Sequence, residues 1–207
     1  MKVIGIIGSP RKGGNTEILV SLALEAAQKT GAEEIEVISL SGKHINPCDG
    51  CDTCDETGEC HQNDDMQFIY PKLLEADGII IGTPVYFWGV SAQVKALIDR
   101  THSLTYAHRA VMRGNKPALE HRHEGLRNKV GGIIVVARRA GAAPAVRAIS
   151  DFFRIHRIIE AGAAIAYADK KGEVKNDEQG LREARWVGRA VVRTIKQIGS
   201  ASRPGSK

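Results

Sequence analysis

Residues 1–16 read MKVIGIIGSPRKGGNT. An apolar, β-branched run, Val3–Ile7, ends in a corner of Gly, Ser, Pro, Arg and Lys, and a helical pattern takes over at Thr16. Consecutive apolar positions predict a strand covered on both faces, as in parallel sheets flanked by helices. The corner has the makings of an anion site. Gly13 and Gly14 permit tight turning, and the helix start adds partial positive charge. Ser9, Asn15 and Thr16 offer short hydrogen-bonding side chains, and Arg11 a full charge. The spacings of the dinucleotide fingerprint and of the ATP-binding P-loop are absent. The alternative is a plain strand-to-helix turn capped by Asn15 or Thr16.

The alternation continues along the chain. Val3–Ile7, Ile35–Leu40, Gly78–Gly82, Val130–Val136 and Ile158–Tyr167 read as strands; Thr16–Lys29, Ser91–Arg100, Pro144–Ile155 and about Glu178–Ile198 read as helices. Ile18, Leu19, Leu22 and Ala26 share one face of the first helix, and Leu181, Ala184, Val187, Val191, Ile195 and Ile198 one face of the last. Five buried strands alternating with helices predict a doubly wound α/β domain with a five-stranded parallel sheet, spanning residues 1–198 before a frayed tail at 199–207. Ligands in that architecture sit beyond the carboxyl ends of the strands, so the loops after Ile7, Gly82 and Val136 belong together. Residues 65–75, DMQFIYPKLLE, are helical in pattern, but Pro71 predicts a kink or break. Segments 41–63 and 102–129 are long for connections, which marks functional loops.

Composition narrows the classes. The chain has 207 residues, 43% hydrophobic, which suits one domain with a sizeable core. No stretch approaches the roughly 20 apolar residues of a membrane span. Lys2 and the short run after it do not make a secretion signal, so the expectation is a soluble, cytoplasmic protein. The net charge of +5 is uneven: residues 1–100 hold 8 Lys/Arg against 15 Asp/Glu, and residues 101–207 hold 21 against 9. Two differently solvated faces account for this. No nucleic-acid motif is present, and a basic half can attract an acidic redox partner. Four of the seven histidines, His102, His108, His121 and His123, fall in segment 102–129 and read as surface residues.

Residues 82–100 read GTPVYFWGVSAQVKALIDR. Tyr86, Phe87 and Trp88 are consecutive at a strand's carboxyl end, where they cannot all point inward. At least one faces a ligand or a partner. A flat aromatic cofactor with a phosphate tail, flavin mononucleotide (FMN), satisfies this loop and the first corner together. A hydrophobic plug against a second subunit is the other reading, and the two are compatible.

GSPRKGGNT (8–16) and the 82–100 stretch together resemble the flavodoxin-like FMN reductase superfamily, over residues 1–100 and less closely onward to 168. The resemblance implies the strand order 2-1-3-4-5. It implies that Ser9, Arg11, Gly13, Gly14, Asn15 and Thr16 hold the FMN phosphate, and that Pro84, Val85, Tyr86, Phe87, Trp88 and Gly89 border the ring. The third loop, Ala137-Arg138-Arg139-Ala140-Gly141, matches less closely. Ala137 and Arg138 are its candidates for the cofactor; the arginines either approach the reduced flavin or pair with carboxylates outside.

All four cysteines lie in residues 47–60, PCDGCDTCDETGEC, as C-x2-C-x2-C-x5-C: Cys48, Cys51, Cys54 and Cys60. Disulfides are disfavoured without a secretion signal. Zinc usually takes its cysteines in pairs from two knuckles. Three cysteines at i, i+3 and i+6 are the run that wraps a [4Fe–4S] cluster, with the fourth ligand from elsewhere, here Cys60. Gly50 and Gly58 ease the turns. A flavodoxin-like domain with this motif, loop 47–61 following strand two, resembles the iron-sulfur flavoprotein family. That resemblance implies FMN and one [4Fe–4S] cluster per subunit, and assembly as a homodimer or homotetramer. It also implies electron flow from a donor such as reduced ferredoxin through the cluster to FMN, and on to an acceptor such as dioxygen or peroxide. A reductase using NAD(P)H with a structural zinc loop, and a non-enzymatic electron carrier, are the competing readings.

Overall fold

The computed structural model describes residues 1–105, 114 and 125–201. Strands β1 (Lys2–Ile7), β2 (Glu34–Ser39), β3 (Gly78–Pro84), β4 (Val130–Ala137) and β5 (Ile159–Tyr167) form one all-parallel sheet in the order β2-β1-β3-β4-β5. This is the expected flavodoxin-like order. Side chains alternate across the sheet. Ile4, Ile6, Ile79, Ile81, Ile133 and Val135 face one layer; Val3, Ile7, Ile80, Ile134 and Val136 face the other. Helices α3 (Met66–Glu75), α4 (Ala92–Arg100) and α5 (Ala142–His156) cover the first layer. Helices α1 (Asn15–Thr30) and α6 (Glu178–Ala201) cover the second. A short helix, α2 (Thr53–Thr57), lies within the long excursion after β2.

The buried face of α1 is centred on Leu19, Val20, Ala23, Leu24 and Ala27, with Ile18 and Leu22 only at the rim. The apolar stripe therefore lies to one side of the Ile18–Leu22 face read from periodicity. The cause is that α1 packs on the sheet and on α6 together. Gly188 permits the second contact: a Cβ there would stand 1.9 Å from the Ala23 carbonyl oxygen.

Helix α3 runs through Pro71 as one continuous helix, without the break that was one of the two expected outcomes. Met66, Ile69, Tyr70 and Leu73 are all buried, and this packing outweighs the missing N–H. Helix α6 continues past Ile198 to Ala201, where Ser200 Oγ donates to the Gln197 carbonyl (2.8 Å). In segment 102–129, residues 102–105 are helical; His108, His121 and His123 lie outside the described residues, as do 202–207 of the tail.

Candidate functional site

The loops after β1 and β3 are locked together at the carboxyl edge of the sheet. Gly8 N–H donates to the Gly82 carbonyl (2.8 Å). Ser91 Oγ donates to the Gly8 carbonyl (2.6 Å), and Ser91 N–H to Thr83 Oγ1 (3.0 Å). The same Ser91 oxygen caps α4 by accepting from Val94 N–H (3.3 Å). Ser91 reads in the sequence as a helix start; that it also joins the two loops needs the fold.

In the first corner, Gly13 has φ 64°, Arg11 N–H donates to the buried Ser9 Oγ (3.2 Å), and Gly14 N–H donates to the Arg11 carbonyl (3.1 Å). The Arg11 side chain is exposed. Neither Asn15 nor Thr16 caps α1: the N-cap is Gly14, with no side-chain bond. Asn15 is engaged elsewhere. Its Nδ2 donates to the Lys170 carbonyl (2.8 Å), and its Oδ1 accepts from the N–H groups of Gly172 (2.8 Å) and Val174 (3.4 Å). It thereby fastens segment 170–174 to the corner. Thr16 is buried beside Gly82. Glu17 Oε2 accepts from Gly13 N–H (2.6 Å), so a carboxylate already takes one of the amides suited to an anion.

In the second loop, Tyr86 and Gly89 exchange both backbone hydrogen bonds (3.0 Å each), closing a two-residue turn over Phe87 and Trp88. Both have positive φ, 49° and 62°. That is a I′-like turn, normally built from Asn and Gly, here made by two bulky aromatics at the cost of strain. Its effect is exposure: Phe87 is 99% and Trp88 65% accessible, and Tyr86 is also exposed. None of the three points into the core. Val85 N–H donates to the Val136 carbonyl (2.8 Å), and Trp88 and Val85 lie against Gly141, so the third loop abuts the second. Ala137 is buried at the end of β4, and Arg138 Nε pairs with Asp169 Oδ2 (2.9 Å) on the surface.

The cysteine excursion hangs on one residue that sequence reasoning passed over. Arg100 ends α4 and is 2% exposed. Its Nη1 donates to Asn46 O (3.0 Å), Gln62 Oε1 (3.0 Å) and Asp64 Oδ2 (2.5 Å); its Nη2 donates to Gln62 O (3.4 Å) and Asp64 Oδ1 (3.2 Å). Tyr70 Oη donates to the Arg100 carbonyl (2.7 Å). Asp64 also accepts from Asn46 N–H (2.9 Å) and Met66 N–H (3.0 Å). Its carboxyl lies below the usual range although burial acts the other way, because Arg100 and these amides hold the charged form. In the sequence Arg100 is a basic residue in a last helical turn, a common partner of the helix dipole, so nothing marked it.

Between these anchors the chain reverses at Gly50 (φ 69°), Asp52 (φ 57°) and Gly58 (φ 78°). Cys48, Cys51, Cys54 and Cys60 all line one cavity of about 620 Å³, together with Arg100, Ile98, Phe152 and Ile155. All four are free thiols. Burial pushes the Cys54 thiol up to about 11, assisted by Asp55, Cys60 and Cys48. Cys51 sits with Asp49 and His61, whose side chains meet at 2.8 Å; Cys54 sits with Asp55 and His102. The donor set suits a thiolate-bound group: four soft sulfur ligands on one cavity. Arg100 Nε is buried and has no partner among the described residues.

These features define a flavodoxin-like sheet with a strained aromatic loop at its carboxyl edge and a four-thiol cavity beside it. The family model of NADPH-dependent FMN reductases matches residues 1–173. An iron-sulfur flavoprotein of Methanocaldococcus jannaschii is 42% identical over 208 residues, covering 96% of this chain and 99% of that one. Among solved structures, a flavone reductase superposes with TM-score 0.76 at 20% identity, covering 99% of this chain and 66% of that one. A WrbA-like flavodoxin from Agrobacterium tumefaciens superposes with TM-score 0.59 at 16% identity, covering 95% and 98%. The chain belongs to the NADPH-dependent FMN reductase family and, within it, to the iron-sulfur flavoproteins. It is a flavin-dependent oxidoreductase whose cofactors are FMN and an iron-sulfur cluster. No helix among the described residues is long and apolar enough to cross a membrane.

Proposed function

We propose that this oxidoreductase takes electrons from an acidic one-electron donor of the ferredoxin type, by way of a [4Fe–4S] cluster, into FMN, and delivers them to an acceptor such as dioxygen or peroxide. The observation that carries the reading is the convergence of all four cysteines on one cavity of about 620 Å³ with a buried cation in its wall. When bound, the cluster handles single electrons and the flavin stores two, which suits conversion between the two regimes.

The chain's own residues supply position and charge. Cys48, Cys51, Cys54 and Cys60 would hold the cluster, and Arg100 keeps their loop in place through its five hydrogen bonds to Asn46, Gln62 and Asp64. The corner from Ser9 to Thr16 would hold the FMN phosphate, with Arg11 giving charge and backbone amides giving direction. Asn15 contributes by fastening segment 170–174 rather than through its occupied side chain. Pro84–Gly89 would border the ring: the exposed aromatics exclude water from one side, and the 2.6 Å Ser91–Gly8 bond holds this loop to the phosphate corner. Ala137 would close the edge of the site, and Arg138 would reach it by leaving Asp169. The surplus of Lys and Arg in residues 101–207 would favour encounter with an acidic donor. Free thiols and an oxygen-sensitive cofactor suit the cytoplasm.

Anaerobic purification with metal, sulfide and flavin analysis tests the assignment. Iron and sulfide near about four per chain, with about one FMN, are expected. Stoichiometric zinc without sulfide overturns the cluster. Reduced ferredoxin then bleaches the flavin, and an added acceptor restores its colour; NAD(P)H reducing the flavin while ferredoxin does not would favour the competing reductase.

A further inference from the structure

The turn after β5 reaches back to the first corner. Asn15 pins it on both sides of one residue: Nδ2 donates to the Lys170 carbonyl (2.8 Å), and Oδ1 accepts from Gly172 N–H (2.8 Å) and Val174 N–H (3.4 Å). The turn is also braced from within. Glu173 Oε2 accepts from the N–H groups of Asp169 (2.7 Å) and Lys170 (2.8 Å), and Val174 is buried. Lys171 therefore springs from a fixed stretch of backbone, and its side chain lies over the corner. A Cβ on Gly13 would stand 3.3 Å from Lys171 Nζ and 3.4 Å from its Cε. The left-handed φ of 64° at Gly13 and the closeness of this ammonium both favour glycine there. The carboxylates of the corner and the turn are engaged elsewhere: Glu17 with Gly13 N–H (2.6 Å), Glu173 with the two amides, and Asp169 with Arg138 (2.9 Å).

We propose that the turn 169–174 is a second wall of the phosphate corner, and that Lys171, aimed by Asn15, donates from Nζ to the FMN phosphate and so selects the phosphorylated flavin over the free one. The inference rests on the corner from Ser9 to Thr16 holding that phosphate. Arg11 then brings charge from the corner's own loop and Lys171 from a segment more than 150 residues away, and charge-assisted hydrogen bonds to a phosphate are the strong kind. Lysine suits a wall that meets the anion from the side, because its compact ammonium carries three rotatable donors and needs no planar fork. It also offsets the Glu17 carboxylate, which already sits on one amide of the corner and repels an arriving anion.

The test titrates flavin-free, full-length protein with FMN and with riboflavin, which has the same ring and no phosphate. Lys171 is exposed, so its replacement leaves the fold intact. Lys171→Gln is expected to weaken FMN binding about tenfold, to leave riboflavin binding unchanged and to flatten the salt dependence of FMN binding; Lys171→Arg restores most of the loss. If Arg11→Ala weakens FMN alone but Lys171→Gln weakens neither flavin, or both equally, the corner stands and the role of Lys171 is overturned. If the wild type binds the two flavins alike, the corner reading itself falls. A double-mutant cycle tests the aiming: Asn15→Ala costs FMN affinity when Lys171 is present and little beside Lys171→Gln. Fully additive losses would overturn the part given to Asn15.

Discussion

Cys60 is set apart from Cys54 by five residues, whereas the other three cysteines follow one another at intervals of two. It packs partly buried against the core, and its carbonyl accepts from Gln67 Nε2 (3.4 Å) at the foot of α3. With no fifth cysteine in the chain, its replacement leaves nearby in sequence the carboxylates of Asp55, Glu56 and Glu59, poor partners for a sulfide cluster, and the imidazole of His61, which is engaged with Asp49 (2.8 Å). Cys60→Ala is expected to lose the cluster or keep a labile three-iron form while still binding FMN; iron and flavin counted on one anaerobic sample check this, and a full four-iron cluster would refute it. Arg11 makes the complementary case. Its side chain is exposed, so Arg11→Ala leaves folding intact. FMN affinity is expected to fall by about 1.5–3 kcal/mol, the range for hydrogen bonds to charged groups, with iron content unchanged. Titration of the flavin-free protein with FMN measures it. Asn15 shows what residue-level reading misses: the polar side chain at a helix start does not cap α1, and it fastens a segment more than 150 residues away.

At the scale of elements, α1 and α6 meet through Gly188, where a Cβ would overlap the Ala23 carbonyl at 1.9 Å. Backbone cannot yield as a side chain tip can. Gly188→Ala is expected to destabilise the chain by about 1–3 kcal/mol, despite alanine's better helix propensity. Denaturant melts of the two proteins decide it, and equal midpoints would show that the helices slide apart freely. The ends of α4 and α5 are coupled by a hydrogen bond of fixed sense. Thr101 Oγ1 spends its proton on the Ile98 carbonyl (2.6 Å), so it accepts from His156 Nε2–H (3.0 Å). Burial, with a smaller contribution from His102, pushes His156 down to about 4. An unfolded histidine protonates near pH 6.5, so between these values the unfolded chain binds more protons. Stability is full above about pH 6.5 and falls as pH drops toward about 4, by about 2 kcal/mol at pH 5. His156→Gln is expected to flatten this loss between pH 7 and pH 5 in chemical denaturation.

For the whole molecule, the cysteine excursion follows β2 at the edge of the sheet, while the loops proposed to hold the flavin follow β1 and β3. The strained turn that exposes Phe87 and Trp88 leaves apolar surface at the same carboxyl edge. A neighbouring subunit would cover those rings and bring one chain's cysteines toward another's flavin. A homo-oligomer is therefore expected by sedimentation, weakened by Phe87→Ser. A monomer carrying both cofactors at full activity would contradict it.

Strand alternation, the order of elements and the clustering of the cysteines were legible in the residues, because each depends on local period or spacing. GIIIG reads as a buried strand wherever it stands, and C-x2-C-x2-C-x5-C reads as a soft-metal loop before anything is folded. The carriage of α3 through Pro71, the true buried face of α1 and the role of Arg100 were not legible. Each depends on what another part of the chain presents: a core that holds a helix against a missing N–H, a second helix lying against the first, and a loop 36 to 54 residues upstream that wraps a guanidinium. Local sequence determined the class and the donor atoms. Only the tertiary structure decided which charged side chain would be shut in among them, because burial and hydrogen-bond saturation are properties of the packed chain.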